Sequence, residues 1–336
     1  MREKKYALTF DLAPFMPFSV LSARSTKDEI ILGKSECGRV VALSWSRLPS
    51  FHAIVMGDVS FERARVVKSL ILELVKLGKK VFVIDCRSDY VRLTKCLGGL
   101  VLSGDASLIE LFADYYCSAE IWIDVITRIA LDTFSFPLVV PLFKAYIIKG
   151  FKRVNIQNPE ISTFINLYEN VAKLKLSELM MRYNVICLNL RGLSKGIAHF
   201  VTLVTLRQLD FYCKKTYGAC HKLKVVVIVD DGHYVAQRFE DMKSVYAKAR
   251  EFGWGCWLVV QSPREVPASL YSYAGFILIL GGSEAYINEI SSIIPLSKED
   301  ISYILCARKG SGLLITQVDS RPKRLTLKIS NLVLSL

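Results

Sequence analysis

The residues best suited to chemistry fall at the ends of three apolar runs, and all three have the types that handle phosphate. The run Val225–Val229 ends in two carboxylates, Asp230 and Asp231, followed by Gly232 and His233. A buried strand that delivers paired carboxylates to its C-terminal end can hold Mg²⁺ through water with the first and polarise an attacking water with the second. Asp230 is therefore the candidate metal residue and Asp231 the candidate catalytic one, although Asp231 reaches one methylene less far than a glutamate. The run Ala53–Met56 leads into Gly57-Asp58-Val59-Ser60-Phe61-Glu62-Arg63-Ala64 and then into a helical pattern. At such a junction the spacing Gly-x-x-x-x-Gly-Lys-[Ser/Thr] brings backbone N–H groups, an ammonium and a metal-binding hydroxyl to a nucleotide phosphate. Gly57 is in place, but Glu62, Arg63 and Ala64 stand at the second glycine, the lysine and the hydroxyl. Gly57, Ser60 and Arg63 are the residues left to bind the nucleotide. Arg63 keeps a positive charge on a wider, planar head. The third run, Cys256–Val260, ends in Gln261, where a sensor of the γ-phosphate would sit at the C-terminal edge of an open α/β sheet.

Competing readings of these residues are plainer. Asp230-Asp231 could be a solvated turn, were it not for the order of the three runs along the chain. Gly33-Lys34-Ser35 is a literal Gly-Lys-Ser, but Asp28 stands where the first glycine belongs and a strand-like run follows instead of a helix, which points to a β-turn. The nine cysteines form no Cys-x-x-Cys pair, so neither a zinc site nor a disulfide framework is expected. Cys213 with Cys220-His221 comes nearest to a metal cluster.

These residues need a scaffold that aligns strand ends. Short, apolar, β-branched runs (Ala53–Met56, Val81–Asp85, Val185–Leu190, Val225–Asp230, Cys256–Gln261 and Phe276–Leu280) alternate with amphipathic stretches over Glu62–Leu77, Gly196–Lys214, Phe239–Phe252 and Ser283–Ile294. Apolar on both faces, the runs predict central strands of a mainly parallel sheet with helices on both sides. The expected organisation is a β-rich lead-in over residues 1–50 and a core over 51–336. The core carries a helical insertion at about 105–180 and a terminal hairpin at about 311–330.

Composition narrows the class. Hydrophobic residues make up 52% and charged residues 22%, enough for a large core and too few polar tracts for disorder. The net charge of +13 favours a polyanionic partner, such as nucleic acid or an anionic membrane surface, with mere solubility the plainer reading. The longest uncharged run, Val266–Ser283, contains Pro267, Gly275, Gly281 and Gly282 and reads as a buried strand with its turns, so no membrane span is expected. Asp11 and Pro14 interrupt the N-terminal apolar stretch, which argues against a signal peptide, and the scattered cysteines suit a reducing, cytoplasmic compartment.

Taken in order, the motifs resemble the HerA–FtsK superfamily of P-loop ATPases, in particular its archaeal HerA-like branch. Asp230-Asp231-Gly232-His233 is similar to that family's Asp-Glu-Ala-His. Arg250-Glu-Phe-Gly253-Trp-Gly255, with Val260-Gln261-Ser262-Pro263 after it, resembles its basic residue, glycines and Ser-Gln-Arg-Pro signature. Val81–Asp85 with Asp89-Tyr90, Val185–Leu193 and Lys309–Ile315 resemble further family segments, so the likeness covers most of residues 30–330. It implies a RecA-like core, ATP with Mg²⁺, DNA as partner, and a homo- or hetero-oligomeric ring in which Arg250 completes a neighbour's site. The departures concentrate at Glu62, Arg63 and Ala64, with Asp231 and Ser262 lesser ones, and the family's N-terminal barrel is shortened. The expectation is a degenerate ATPase acting as a DNA-associated scaffold or ring partner, with ATP and Mg²⁺ held weakly or not at all, beside an active HerA-like homologue or a nuclease. An active DNA translocase or helicase with a non-standard phosphate loop is the alternative, and a regulatory protein-binding module the second.

Overall fold

A computed structural model of the chain describes residues 28–103 and 175–334, except 238, 307–309, 320 and 321, together with 125, 127–130 and 133. Among the described residues eleven strands form one sheet, in the order β2-β1-β11-β10-β9-β3-β8-β7-β4-β6-β5. In chain order they are β1 (Glu29–Ser35), β2 (Val40–Ser44), β3 (Ala53–Met56), β4 (Lys80–Asp85), β5 (Leu100–Ser103), β6 (Val185–Asn189), β7 (Val225–Asp230), β8 (Trp254–Val260), β9 (Phe276–Leu280), β10 (Ser311–Thr316) and β11 (Lys323–Leu327). The seven strands from β9 to β5 in that order pair in parallel. The four from β10 to β2 continue the sheet antiparallel. The mainly parallel α/β architecture read from the sequence is the one observed.

Alternation along each parallel strand divides the core in two, because successive side chains leave opposite faces. Val55, Val83, Ile228, Trp257 and Leu278 pack on one face with α1 (Ser60–Lys76) and α2 (Val91–Cys96). Ile54, Ile84, Val227, Leu258 and Ile277 pack on the other with α3 (Leu176–Arg182), α4 (Lys195–Tyr217) and α5 (His233–Gln237). Strands buried on both faces have no polar side to display, which is why they read as continuous apolar runs. Gly33-Lys34-Ser35 lies in β1, paired to β11, and the turn follows at Glu36–Gly38. The stretch expected as one helix over Phe239–Phe252 is α6 (Phe239–Lys248) plus a 3₁₀ turn, Ala249–Phe252, that ends on Gly253 at φ 71°. Glycine is required there: a Cβ would come within 2.6 Å of Lys222 O and Cys220 Sγ. The helical insertion expected at about 105–180 lies outside the described residues but for the helical positions between 125 and 133 and the segment from 175. Residues 1–27 of the lead-in also lie outside them.

His52 anchors the start of β3. Its ring is fully buried against Tyr246, with centroids 4.4 Å apart. Its Nε2–H donates to the Tyr246 carbonyl at 2.9 Å, and its Nδ1 accepts from Cys256 N–H at 2.9 Å. Burial holds its pKa down at about 4, against the raising pull of those two backbone bonds. The folded ring therefore stays neutral where an unfolded one protonates. Stability should be unaffected above pH 6.5 and fall as the pH drops from there towards 4, by about 3 kcal/mol in all. Denaturant midpoints measured across that window check this, and His52→Gln should flatten the dependence.

Candidate functional site

Because β3, β8, β7 and β4 are parallel, their C-terminal ends open on one edge of the sheet. The register Met56↔Val260 and Asp230↔Val259 places β8 between the strand that leads to Gly57 and the strand that ends in Asp230. Gly57, Gln261, Asp230 and Asp231 thus gather on the same edge.

The loop after β3 is closely packed. A Cβ at Gly57 would stand 3.0 Å from Leu280 Cβ and 3.1 Å from Arg63 Cγ. Helix α1 starts at Ser60 behind Val59, which offers no capping side chain, and Ser60 is exposed. Phe61 is 60% exposed, with the Arg65 guanidinium 4.1 Å from its ring centre. Arg63 turns the other way. It is 1% exposed, and its Nη1 donates to the carbonyl oxygen of Gly57 and, at 3.4 Å, to that of Asp58. Its Nε is buried without a hydrogen-bond partner among the described residues. The guanidinium expected to face a phosphate is spent on the loop's own carbonyls. A signal for this was in the sequence: Arg63, Val67, Leu70 and Leu74 share the buried stripe of α1, so position 63 must point inward. From the far side, Ser283 N–H donates to Asp58 Oδ2 at 3.3 Å. Gly282 admits the Tyr286 ring so closely that a Cβ would lie 2.4 Å from its Cδ1. Glu62 lines a cavity of about 140 Å³ on the flank of α1, with Arg65, Ile329 and Leu334.

Asp230 is fully buried and already paired. Arg87 reaches it from the loop after β4 as a fork, Nε to Oδ2 at 3.1 Å and Nη2 to Oδ1 at 3.1 Å. The same guanidinium lies 3.2 Å from Asp89 Oδ2 and 3.8 Å from Asp231 Oδ2. Its loop is fixed by Asp85, whose carboxylate accepts from the backbone N–H groups of Arg87, Asp89 and Tyr90 at 3.1, 3.1 and 2.9 Å. Burial pushes the Asp230 carboxyl up to about 7; Arg87 pulls it down, and the carboxylates of Asp231, Asp85 and Asp89 add to the push. Asp231 follows at φ 53°, a left-handed turn that takes the chain off the sheet. Sequence reasoning missed Arg87. Cys86-Arg87-Ser88-Asp89 reads as a polar turn, and only the adjacency of β4 and β7 brings it to Asp230.

Gln261 is exposed at the tip of β8, and its backbone N–H donates to Glu265 Oε2 at 3.0 Å. Ser262, which stands at the arginine of the signature that this segment resembles, caps the short turn Pro263–Glu265 and donates its hydroxyl to Glu289 Oε2 at 2.8 Å. Arg250 stands apart from the others. It precedes β8, at the opposite edge of the sheet, with its guanidinium 5.6 Å from the Phe51 ring centre. At about 3.3 Å per strand residue, the length of β8 puts roughly 20 Å between it and the phosphate loop of its own chain. As the side chains stand, no three of His, Cys, Asp and Glu among the described residues are disposed to hold a metal ion. No helix there is long and apolar enough to cross a membrane.

No family model matches the chain, and no curated protein matches it in sequence. Solved structures do. VirB4 of Thermoanaerobacter pseudethanolicus superposes with a TM-score of 0.67 at 14% identity, over 91% of this chain and 98% of that one. The bacterial conjugative coupling protein TrwB, lacking its first 70 residues, matches with a TM-score of 0.56 at 10% identity, over 93% and 91%. A second crystal form of TrwB, in complex with sulphate, gives 0.58 at 10% identity, over 85% and 86%. At such identities the likeness carries the fold alone: this chain has a RecA-like α/β fold, shared with VirB4 and TrwB.

Proposed function

We propose that the chain is a HerA-like ATPase-fold protein of DNA processing or translocation that has lost its own hydrolysis and serves as a DNA-associated scaffold or ring partner. The observation that carries this reading is the buried Arg63 head on the carbonyls of Gly57 and Asp58. A loop that binds phosphate must present N–H groups and leave room for oxygen atoms. Here a guanidinium fills the loop, Asp58 is tied to Ser283, and Ala64 has no hydroxyl for Mg²⁺. These residues do not fit a magnesium–nucleotide complex. ATP and Mg²⁺ are accordingly held weakly or not at all, and no hydrolytic step is assigned to Asp231 or Gln261. Arg250 lies too far from its own loop to serve it. If the chain joins a ring, Arg250 serves an adjacent active subunit, in the cytoplasm.

DNA fits the charge. Lys80 begins β4, and its backbone N–H donates to Lys224 O at 2.9 Å; Lys79 and Lys222 flank the pair on the edge opposite the phosphate loop. Burial, and repulsion by Lys224 and Lys222, lower the Lys79 pKa, while Asp28 opposes the shift. Crowded ammonium groups gain when phosphates replace their counterions. Labelled duplexes of unrelated sequence should bind equally well, with affinity falling steeply between low and physiological salt and unaffected by ATP. The pair Lys222→Glu and Lys224→Glu should weaken binding roughly tenfold or more and flatten the salt slope. Salt-insensitive binding, or preference for one sequence, would overturn the reading. An affinity that responds to ATP would favour the translocase.

A further inference from the structure

We propose that Arg87 is the permanent cation of this site, standing where a divalent metal would neutralise Asp230 and making the acidic edge independent of metal. The inference deepens the degenerate-site reading and rests on it, but its evidence lies on a different loop. A carboxylate that works on a bound metal needs an oxygen directed at the ion or its water. Both oxygens of Asp230 are engaged by one guanidinium, each at 3.1 Å, and no water-facing surface remains to the residue. The fork is a strong form of carboxylate pairing, planar against planar, and a lysine could not copy it.

Three carboxylates share this one cation: Asp230 by the fork, Asp89 at 3.2 Å and Asp231 at 3.8 Å. Arg87 is itself held in place. The Asp85 carboxylate binds its backbone N–H, and the next residue, Ser88, takes a left-handed turn at φ 70° with its hydroxyl on Asn189 Oδ1 at 3.0 Å. A surface arginine that met Asp230 by chance would have no such anchored loop. The arrangement closes the ends of β4 and β7 with a charge carried by the chain, where a metal site leaves that charge to be supplied from solution.

The test is a comparison of Arg87→Met, Arg87→Lys and the double variant Arg87→Met/Asp230→Asn with the unmodified protein. Thermal midpoints are read in EDTA and in Mg²⁺, and Mn²⁺ binding is read by electron paramagnetic resonance. The unmodified protein should bind no Mn²⁺ at millimolar concentration, and its midpoint should be the same in both buffers. Arg87→Met, which leaves three carboxylates facing one another, should lose roughly 5–10 °C in EDTA, recover part of it in Mg²⁺, and acquire a Mn²⁺ signal. The double variant removes the stranded charge and should regain most of the loss without the signal. Should Arg87→Met fail to fold, Arg87→Lys decides: it should show a smaller loss, since a single ammonium cannot satisfy both Asp230 oxygens. Mn²⁺ binding by the unmodified protein would overturn the inference, as would indifference of both Arg87 variants. Neither result depends on DNA binding or ATP turnover, so the two proposals can fail separately.

Discussion

Incubated with ATP and Mg²⁺, with or without duplex DNA, the purified protein should release phosphate no faster than the buffer alone. Phosphoryl transfer is almost wholly positioning and charge stabilisation, so each missing contact enters the rate directly. Removing one preorganised donor from such a site typically costs about 10²–10³ in rate. Here several contacts are altered together. Arg63 spends its charge on the Gly57 and Asp58 carbonyls, Ala64 offers no hydroxyl, and Asp230 is engaged by Arg87. The triple change Glu62→Gly, Arg63→Lys, Ala64→Ser should raise nucleotide affinity measurably above that of the unmodified protein. It should not give fast turnover, because the fork on Asp230 remains. Phosphate release by the unmodified protein that Asp230→Ala abolishes would overturn the degenerate-site reading and favour the translocase.

Arg63→Ala should lower the stability by about 3 kcal/mol, read as a fall in the denaturant midpoint at unchanged slope. The side chain is among the largest fully buried ones, packed at Gly57 and beside Tyr286, and its truncation leaves a void together with two loop carbonyls lacking their donor. Arg63→Met is the informative companion. It keeps most of the volume and loses the donors, but also removes a buried guanidinium whose Nε has no partner. Those two effects oppose each other, so its cost should stay within about 1 kcal/mol. A methionine variant as unstable as the alanine one would mean that the donations to Gly57 and Asp58, more than the filling of space, hold the loop.

The sheet was readable because its central strands are buried on both sides. Ala53–Met56, Val225–Asp230 and Phe276–Leu280 have the same bounds in the sequence reading and in the structure. Periodicity cannot reveal which strands become neighbours, and the unforeseen part of the site lies there. Arg87 meets Asp230 because Ile84 pairs with Val229 in parallel, a relation that no local pattern encodes. β5, short and only partly buried, and α2, a helix of under two turns, gave too little periodic signal to be foreseen. Ser262 shows the reverse difficulty: a departure from a motif turned out to be a helix cap with a carboxylate partner. The direction of Arg63 lay between these cases. The stripe of α1 places it inside, but not against which atoms.

The pairing of β1 with β11 has a consequence for how the chain is made. Gly33 and Leu327 are Cα partners in that ladder, with Thr326 O so close that a Cβ on Gly33 would lie 2.0 Å from it. One partner leaves the ribosome about 290 residues before the other. At about 5–20 residues per second the β1–β2 hairpin waits roughly 15–60 s for the strand that completes it. Throughout that interval one ladder edge of β1 is open, and a nascent chain halted before β11 would keep it open, available to any other unpaired strand. Aggregation of this protein should therefore begin with chains interrupted late in synthesis, after the parallel strands are complete, and full-length chains should largely escape it.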